Sequence, residues 1–322
     1  MAAQDIIKQI PNTLEDTELS GLGEKIPGKV RDSYVVGDKR ILVTSDRLSA
    51  FDVVLTSIPF KGQVLNDMAH YWFKQTEHII ENHIIDRPHP NIFIGKQAEI
   101  LPVEVVIRGY LTGSAWRDYQ AGKDISGIKL PEGLKKSHKF EVPLLTPSTK
   151  AEVGEHDQPI SSEEILSQGL VKEEIWKEVS EKAMELFKFG TKLAAERGLI
   201  LVDTKYEFGL ISDEEGKKRL ILADEVHTSD SSRYWIAESY QQAYQSGEEP
   251  KKLDKEFVRG WLIEQGYMGE GTPPEFSDDF RAQVAEKYIE AYETITGESF
   301  KAEVRDIKSE VETVGSSLSD KL

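Results

Sequence analysis

The stretch Leu201-Val-Asp203-Thr-Lys205-Tyr-Glu207-Phe-Gly209, with Asp224-Glu225 downstream, decides how this chain is read. A strand alternates its side chains between two faces, so Asp203, Lys205 and Glu207 project from one side. Val202, Thr204, Tyr206 and Phe208 are β-branched or aromatic and suit a buried opposite face. After Ile211 a polar connection, residues 212–219 with Gly216 inside it, leads to Leu220-Ile-Leu-Ala-Asp224 and predicts a hairpin with a longer loop. Pairing Ile211 with Leu220 sets Glu207 opposite Asp224; a one-residue slip sets it opposite Glu225 instead. An acidic strand face is ordinarily a solvated surface carrying weak ion pairs. Here both strands are strongly apolar on the other face, and carboxylates clustered with a lysine cannot be buried cheaply without partners. The set suits a hard cation and a phosphate, since Mg²⁺ is commonly held by one or two carboxylates together with substrate phosphates.

Composition narrows the classes. A chain of 322 residues, 39% hydrophobic and 30% charged, can bury a substantial core and predicts two lobes. With 57 acidic and 40 basic residues the formal charge is −17, which opposes binding to nucleic acid or an anionic membrane. The absence of cysteine removes disulfides, thiolate metal sites and cysteine nucleophiles, and fits a reducing compartment. The first residues lack the basic and long apolar regions of a secretory signal, and no apolar run approaches a membrane span, so a cytoplasmic protein is expected. The sequence carries no signal for oligomeric state.

Along the chain, strands are expected at 30–36, 40–44, 51–55 and 103–107, with a Gly37-Asp38-Lys39 turn between the first two. Helices are expected at 66–80, at 172–197 with Gly198 as its C-terminal cap, and at 231–245, 255–265 and 280–294. Residues 120–165 are loop-rich, and the charged, Ser-rich tail after Phe300 reads as peripheral. The lobes divide at about residue 105, giving a β-rich lobe 1–105 and a mixed lobe 106–322; the class is α+β.

Two further clusters bear on chemistry. Gly23-Glu-Lys-Ile-Pro-Gly28-Lys29-Val30 nearly matches a P-loop. It fails because Val30 replaces the hydroxyl ligand and a strand, not a helix, follows. A glycine-containing turn laying Lys29 and Arg31 over a triphosphate remains open beside an ordinary turn. Arg108, Ser114, Arg117 and Arg233 lie among small and hydroxyl residues, a setting that suits a phosphate monoester or carboxylate as well as ordinary surface arginines. The seven histidines make no metal-ligand pattern, and no H-E-x-x-H occurs.

The segments Gly28-Lys-Val-Arg-Asp-Ser-Tyr34, Thr44-Ser-Asp-Arg-Leu-Ser-Ala-Phe-Asp52, Val103-Glu-Val-Val-Ile-Arg-Gly-Tyr-Leu-Thr-Gly-Ser114, Leu145-Thr-Pro-Ser-Thr-Lys150, Gly154-Glu-His-Asp157, the 201–209 strand and Asp224-Glu-Val-His-Thr-Ser-Asp-Ser-Ser-Arg-Tyr-Trp235 occur in one order. Together they resemble the phosphoribosylaminoimidazole-succinocarboxamide synthase (SAICAR synthetase) family, in its longer form. The resemblance implies a two-lobed fold with ATP between the lobes and a first lobe similar to that of protein kinases. It implies a ligase that activates the carboxylate of carboxyaminoimidazole ribonucleotide (CAIR) with the γ-phosphate of ATP and couples it to L-aspartate, with Mg²⁺ as cofactor. Carried over by position, Lys29 and Arg31 match the phosphate-covering loop and Glu104 the hinge near adenine. Glu207 and Asp224 match the carboxylates that hold Mg²⁺–ATP. Arg108, Ser114 and Arg233 match the grip on the substrate nucleotide, while Asp203 and Lys205 fall where the reacting carboxylate and γ-phosphate should meet. Segments 45–52 and 146–157 gain a site role without individual assignments.

A protein-kinase-like phosphotransferase is the nearest rival, but the H-R-D catalytic loop and the D-F-G triplet are both absent. A non-catalytic nucleotide binder would have no need of Asp203, Lys205, Glu207 and Asp224 together.

Overall fold

Alternating apolar and polar residues from Lys25 onward build the first sheet. In the computed structural model, which describes all residues except 1–2, 20, 52, 151–156, 214, 254–255, 302 and 320–322, the strands Lys25–Ile26 (β1), Arg31–Val36 (β2) and Lys39–Thr44 (β3) pair antiparallel. Gly37, with φ 61°, makes the tight turn between β2 and β3. Arg47–Ala50 (β4) and Val53–Ser57 (β5) form a separate hairpin, and Ile84–His89 (β6) and Ile92–Lys96 (β7) complete a five-stranded sheet of order β1-β2-β3-β7-β6.

The chain divides into two compact units, one of Met1–Tyr71, His83–Gln97 and Asp254–Leu322, the other of Trp72–Asn82 and Ala98–Leu253. This differs from the expected division into 1–105 and 106–322, because the C-terminal segment returns to the first unit. The tail expected to be peripheral forms a helix, Ile307–Ser319. Its Ile307, Val311 and Leu318 are buried with Leu14, Leu19, Tyr34, Ile41, Val43 and Ile94 in one apolar cluster. Their spacing of four and seven residues puts them on one stripe, which the surrounding serines and charges conceal in the sequence.

In the second unit the strands are Glu99–Ile100 (β8), Val103–Tyr110 (β9), Lys139–Leu145 (β10), Ser148–Thr149 (β11), Leu199–Ser212 (β12), Lys218–Ala223 (β13) and Ser232–Ile236 (β14). The long strand β12 is the spine of this sheet, pairing antiparallel with β8, β9, β13 and β14 along its length. Helix Glu173–Glu196 buries Val179, Ala183, Leu186 and Phe187, and Gly198 follows it with φ 70°, as its sequence predicts.

Two local expectations change. Residues 231–245 are not one helix but β14 followed by a helix at Ala237–Ser246, because Ser232, Tyr234 and Trp235 are buried in pairing with β12. The β12–β13 hairpin also has another register: Leu210 pairs with Leu220, so Glu207 faces Ala223 rather than Asp224 or Glu225. The turn causes this. Asp213 accepts backbone N–H bonds from Glu215 and Lys217 through its carboxylate, Gly216 adopts φ 78°, and Ser212 closes opposite Lys218. Among the described residues no helix is long and apolar enough to cross a membrane.

Candidate functional site

Sheet register builds the second unit's site. Asp203 on β12 pairs with Arg108 on β9 and with Arg233 on β14, so a carboxylate is flanked by a guanidinium on each neighbouring strand. Asp203 is 4% exposed. Arg108 donates from Nη1 to Asp203 Oδ2 at 3.1 Å, from Nη2 to Ser114 Oγ at 3.2 Å and from Nε to Thr146 Oγ1 at 2.9 Å. Arg233 donates from Nε to Asp203 Oδ1 at 2.8 Å and from Nη2 to Asp203 Oδ2. Burial pulls the Arg108 guanidinium down from its usual range, and Asp203 opposes that pull. Two cations on one carboxylate leave net positive charge there. Gly113, at φ 60°, gives Arg233 its room: a Cβ at that position would come within 2.0 Å of Arg233 Nη1. Ser114 lies in the first turn of the helix Gly113–Gln120, whose amide dipoles add positive potential.

Two residues along β12, about 7 Å at strand rise, the charge balance reverses. Lys205 Nζ lies 2.5 Å from Glu104 Oε1 and 3.7 Å from Glu207 Oε1, and Lys150 pairs with Glu207 Oε2. Burial alone would lower the Lys205 ammonium, but Glu104, then Glu207 and Asp224, outweigh it and hold Lys205 well above its ordinary range. Burial raises the Glu104 carboxyl against the pull of Lys205. Glu104, assigned to the adenine hinge by resemblance, therefore has its carboxylate on Lys205. Asp203, expected at the reacting centre with Lys205, has both oxygens engaged by the two arginines. Asp224 follows β13 at φ 58°, a left-handed conformation that Asp tolerates better than most residues.

Behind this face the loop after Asp224 is anchored in the interior. His227, fully buried at φ 51°, meets Tyr206 Oη through Nε2 at 2.5 Å and lies edge-on to the Trp72 ring at 4.7 Å between centroids. Tyr234 Oη donates to the His227 carbonyl at 2.7 Å, and the Ser231 carbonyl accepts from the Lys205 N–H at 3.0 Å. A Cβ on Gly190 would come within 2.2 Å of the His227 ring, so the helix needs glycine there. Burial depresses His227 to about 3, keeping the ring neutral.

Lys29 and Arg31 stand in the first unit, Lys29 on the turn between β1 and β2 and Arg31 at the start of β2; Lys29 is exposed and Arg31 Nε donates to Thr44 Oγ1 at 3.1 Å. The strand after Gly28-Lys29 agrees with rejection of a P-loop. Of segments 45–52 and 146–157, residues 52 and 151–156 lie outside the described residues, which removes most of Gly154-Glu-His-Asp157. The sequence reading did not pair Glu104 with Lys205, although Glu104 and Arg108 share a face of β9 by period two. Lys150 reaches Glu207 from 57 positions away and carries no local signal.

Known proteins share this arrangement of sequence and fold. A model of the SAICAR synthetase family matches residues 24–274. A phosphoribosylaminoimidazole-succinocarboxamide synthase of Legionella pneumophila (strain Lens) is 47% identical over 298 residues, 90% of this chain and 93% of that protein. A protein of the same name from Bacteroides fragilis is 47% identical over 306 residues, 93% and 96% of the two chains. Among solved structures, SAICAR synthase from Saccharomyces cerevisiae complexed with SAICAR aligns with TM-score 0.78 and 35% identity, covering 90% of this chain and 100% of that one. A type-2 SAICAR synthetase in complex with ADP aligns with TM-score 0.65 and 27% identity, covering 87% and 100%.

Proposed function

The chain belongs to the SAICAR synthetase family and is an ATP-dependent ligase of purine biosynthesis, joining L-aspartate to the carboxylate of CAIR with release of ADP and phosphate; from that premise we propose that the bond is made through an acyl phosphate on the charged face of β9, β12 and β14. The observation that carries this reading is the polarity of that face. Two guanidinia surround one carboxylate at Asp203, and three carboxylates surround one ammonium at Lys205. The first end suits an anion and the second a phosphate-bound cation. The SAICAR and ADP held by the two structural relatives support the same pair of ligands.

In this reading Arg108, Ser114 and Arg233 grip the phosphate of CAIR, with forked guanidinium donors that match its oxygens. Asp203 is their positioning residue. Lys29 and Arg31, on the Gly28 turn, cover the triphosphate of ATP. A carboxylate oxygen of CAIR attacks the γ-phosphorus and ADP departs. The unprotonated α-amine of L-aspartate then attacks the acyl carbon, its proton is lost, and phosphate leaves. Lys205 neutralises the two anions that must approach in the first step, and the strong pull of its carboxylate neighbours keeps it charged throughout. Glu104 holds that ammonium in place.

Glu207 and Asp224 are hard oxygen donors of the kind that suit Mg²⁺, which when bound would neutralise charge on the β- and γ-phosphates. No cluster of three or more metal-ligating side chains occurs among the described residues. A cytoplasmic setting belongs to the same reading, supported by the absence of cysteine.

The test is positional isotope exchange in ATP labelled at the β,γ-bridge, with CAIR present and L-aspartate absent. Reversible acyl phosphate formation scrambles the label. If the label stays in place while added L-aspartate brings rapid ADP release, a direct or concerted route replaces the acyl phosphate.

A further inference from the structure

The segment Thr44-Ser45-Asp46-Arg47, matched in the sequence without individual roles, folds against the turn that carries Lys29. A guanidinium has five N–H donors, and Arg47 uses all of them. Nε donates to the Lys29 carbonyl at 3.2 Å; Nη1 donates to the Glu15 carbonyl at 2.9 Å and to Asp32 Oδ2 at 2.9 Å. Nη2 donates to the Gly28 carbonyl at 3.0 Å and to Asp32 Oδ1 at 2.7 Å. Asp32 is buried and also accepts from the Gly28 N–H at 2.9 Å and from Thr17 Oγ1 at 2.5 Å. Ser45 donates to the Val30 carbonyl twice, from its N–H at 2.9 Å and its Oγ at 2.8 Å.

Three successive carbonyls, those of Gly28, Lys29 and Val30, are therefore held on the Arg47 and Ser45 side. In a trans peptide the carbonyl and the following N–H point in opposite directions. Each following N–H, on Lys29, Val30 and Arg31, therefore points away from the donor that holds its own peptide's carbonyl. Backbone amides presented by a tight turn suit an anion. The turn has no slack for a side chain at Gly28, where a Cβ would lie 2.2 Å from the Arg31 carbonyl oxygen.

We propose that Arg47, held by Asp32, is a positioning residue for the triphosphate of ATP: it fixes the shape of the 28–31 turn so that this turn and Lys29 meet the phosphates. The inference rests on the reading that this turn covers ATP. An ammonium cannot replace a planar fork that satisfies five acceptors at once, so Arg47→Lys loosens the turn while keeping the charge.

Calorimetric titration of Arg47→Lys with ATP and with adenosine, both in Mg²⁺ buffer, tests this. ATP affinity should fall tenfold or more while adenosine affinity and the KM for CAIR stay within twofold. A merely structural role would weaken both nucleoside ligands alike, and that outcome, or unchanged ATP affinity, overturns the proposal. Lys29→Met separates the two ideas. If it weakens ATP binding and Arg47→Lys does not, the positioning role fails and the turn keeps its function; if neither does, the turn itself has been misread. Should Arg47→Lys fail to fold, Ser45→Ala removes a single hydroxyl bond to the same turn. Its ATP affinity should drop about threefold with adenosine unaffected, and equal behaviour towards the two ligands would sink the proposal.

Discussion

The two units bury charge in different ways. In the first, Asp46 accepts backbone N–H bonds from Leu14 and Gly62, each at 2.8 Å, and Arg47, besides its ion pair with Asp32, binds three backbone carbonyls. In the second, Asp203, Lys205 and Glu207 are paired with other side chains: Arg108, Arg233, Glu104 and Lys150. A charge tied to main chain can change partner only by deforming the backbone. A charge tied to a side chain can exchange that partner for a phosphate or a metal ion by rotating a few bonds. The first kind of burial fixes shape, and the second keeps binding capacity in reserve. Variants in the second unit should therefore alter turnover with little change in Tm, whereas those in the first should act through loop geometry or stability.

The largest effect is expected at the carboxylates. Glu207→Gln and Asp224→Asn should reduce turnover beyond ready detection while Tm moves by only a few degrees. Activity within about tenfold of wild type, under ~1.4 kcal/mol of transition-state loss, would exclude an essential ligand role and break the contrast between the units.

Next comes Lys205→Met. Acyl phosphate formation brings two anions together, and a fixed cation lowers that repulsion more in the transition state than in the separated reactants. A fall in kcat of roughly two to three orders of magnitude is expected, on the scale of a lost oxyanion donor, with ATP affinity little changed. Scrambling of the β,γ-bridge label should vanish with it. If the variant scrambles as fast as wild type, Lys205 serves the amine step or the fold instead.

Arg108→Lys should have a smaller effect, raising the KM for CAIR by about tenfold to a hundredfold because a point charge cannot bridge Asp203, Ser114 and Thr146 together. An unchanged KM for CAIR would remove Arg108 from the phosphate grip and leave it as a structural partner of Asp203.

What could be read from the sequence follows the same divide. The face carrying Asp203, Lys205 and Glu207 was legible because period-two alternation is local, and the P-loop could be rejected because strand alternation follows Val30. The meeting of Arg108 and Arg233 on Asp203 was not legible. It depends on pairing β9 and β14 with β12, including a bulge between Leu201 and Asp203 that no local pattern announces. Alternation alone sets Glu207 opposite Asp224 or Glu225, and the turn at Asp213 moves the register so that Ala223 stands there instead. The helix Ile307–Ser319 was missed because three apolar residues spread over twelve positions are a weak stripe until a sheet is there to receive them.

The smallest effect at neutral pH concerns two fully buried titratable groups, one in each unit. Burial raises Asp46 from 3.8 to about 6, against the pull of the Leu14 and Gly62 N–H groups and of Lys61. It lowers His227 from 6.5 to about 3, with Tyr206 and Trp72 packed against the ring. The two act with opposite sign. Between about pH 4 and 6 folded Asp46 keeps a proton that the unfolded chain has released, so its contribution to stability declines as pH rises through that window. Between about pH 6.5 and 3 the unfolded chain binds a proton that folded His227 refuses, so its contribution is present above 6.5 and is lost as pH falls. His227→Gln can retain a hydrogen bond to Tyr206 but cannot titrate. At pH 7, where His227 is neutral in both states, the substitution should change stability by only about 1 kcal/mol, the scale of one hydrogen bond. At pH 4 the variant should have gained on wild type by on the order of 3 kcal/mol, because its acid penalty is gone. Tm measured from pH 4 to 8 for both proteins checks this. Parallel curves would mean that protonated His227 finds a partner in the fold, and that charge in the second unit's interior is accommodated more easily than its apolar surroundings imply.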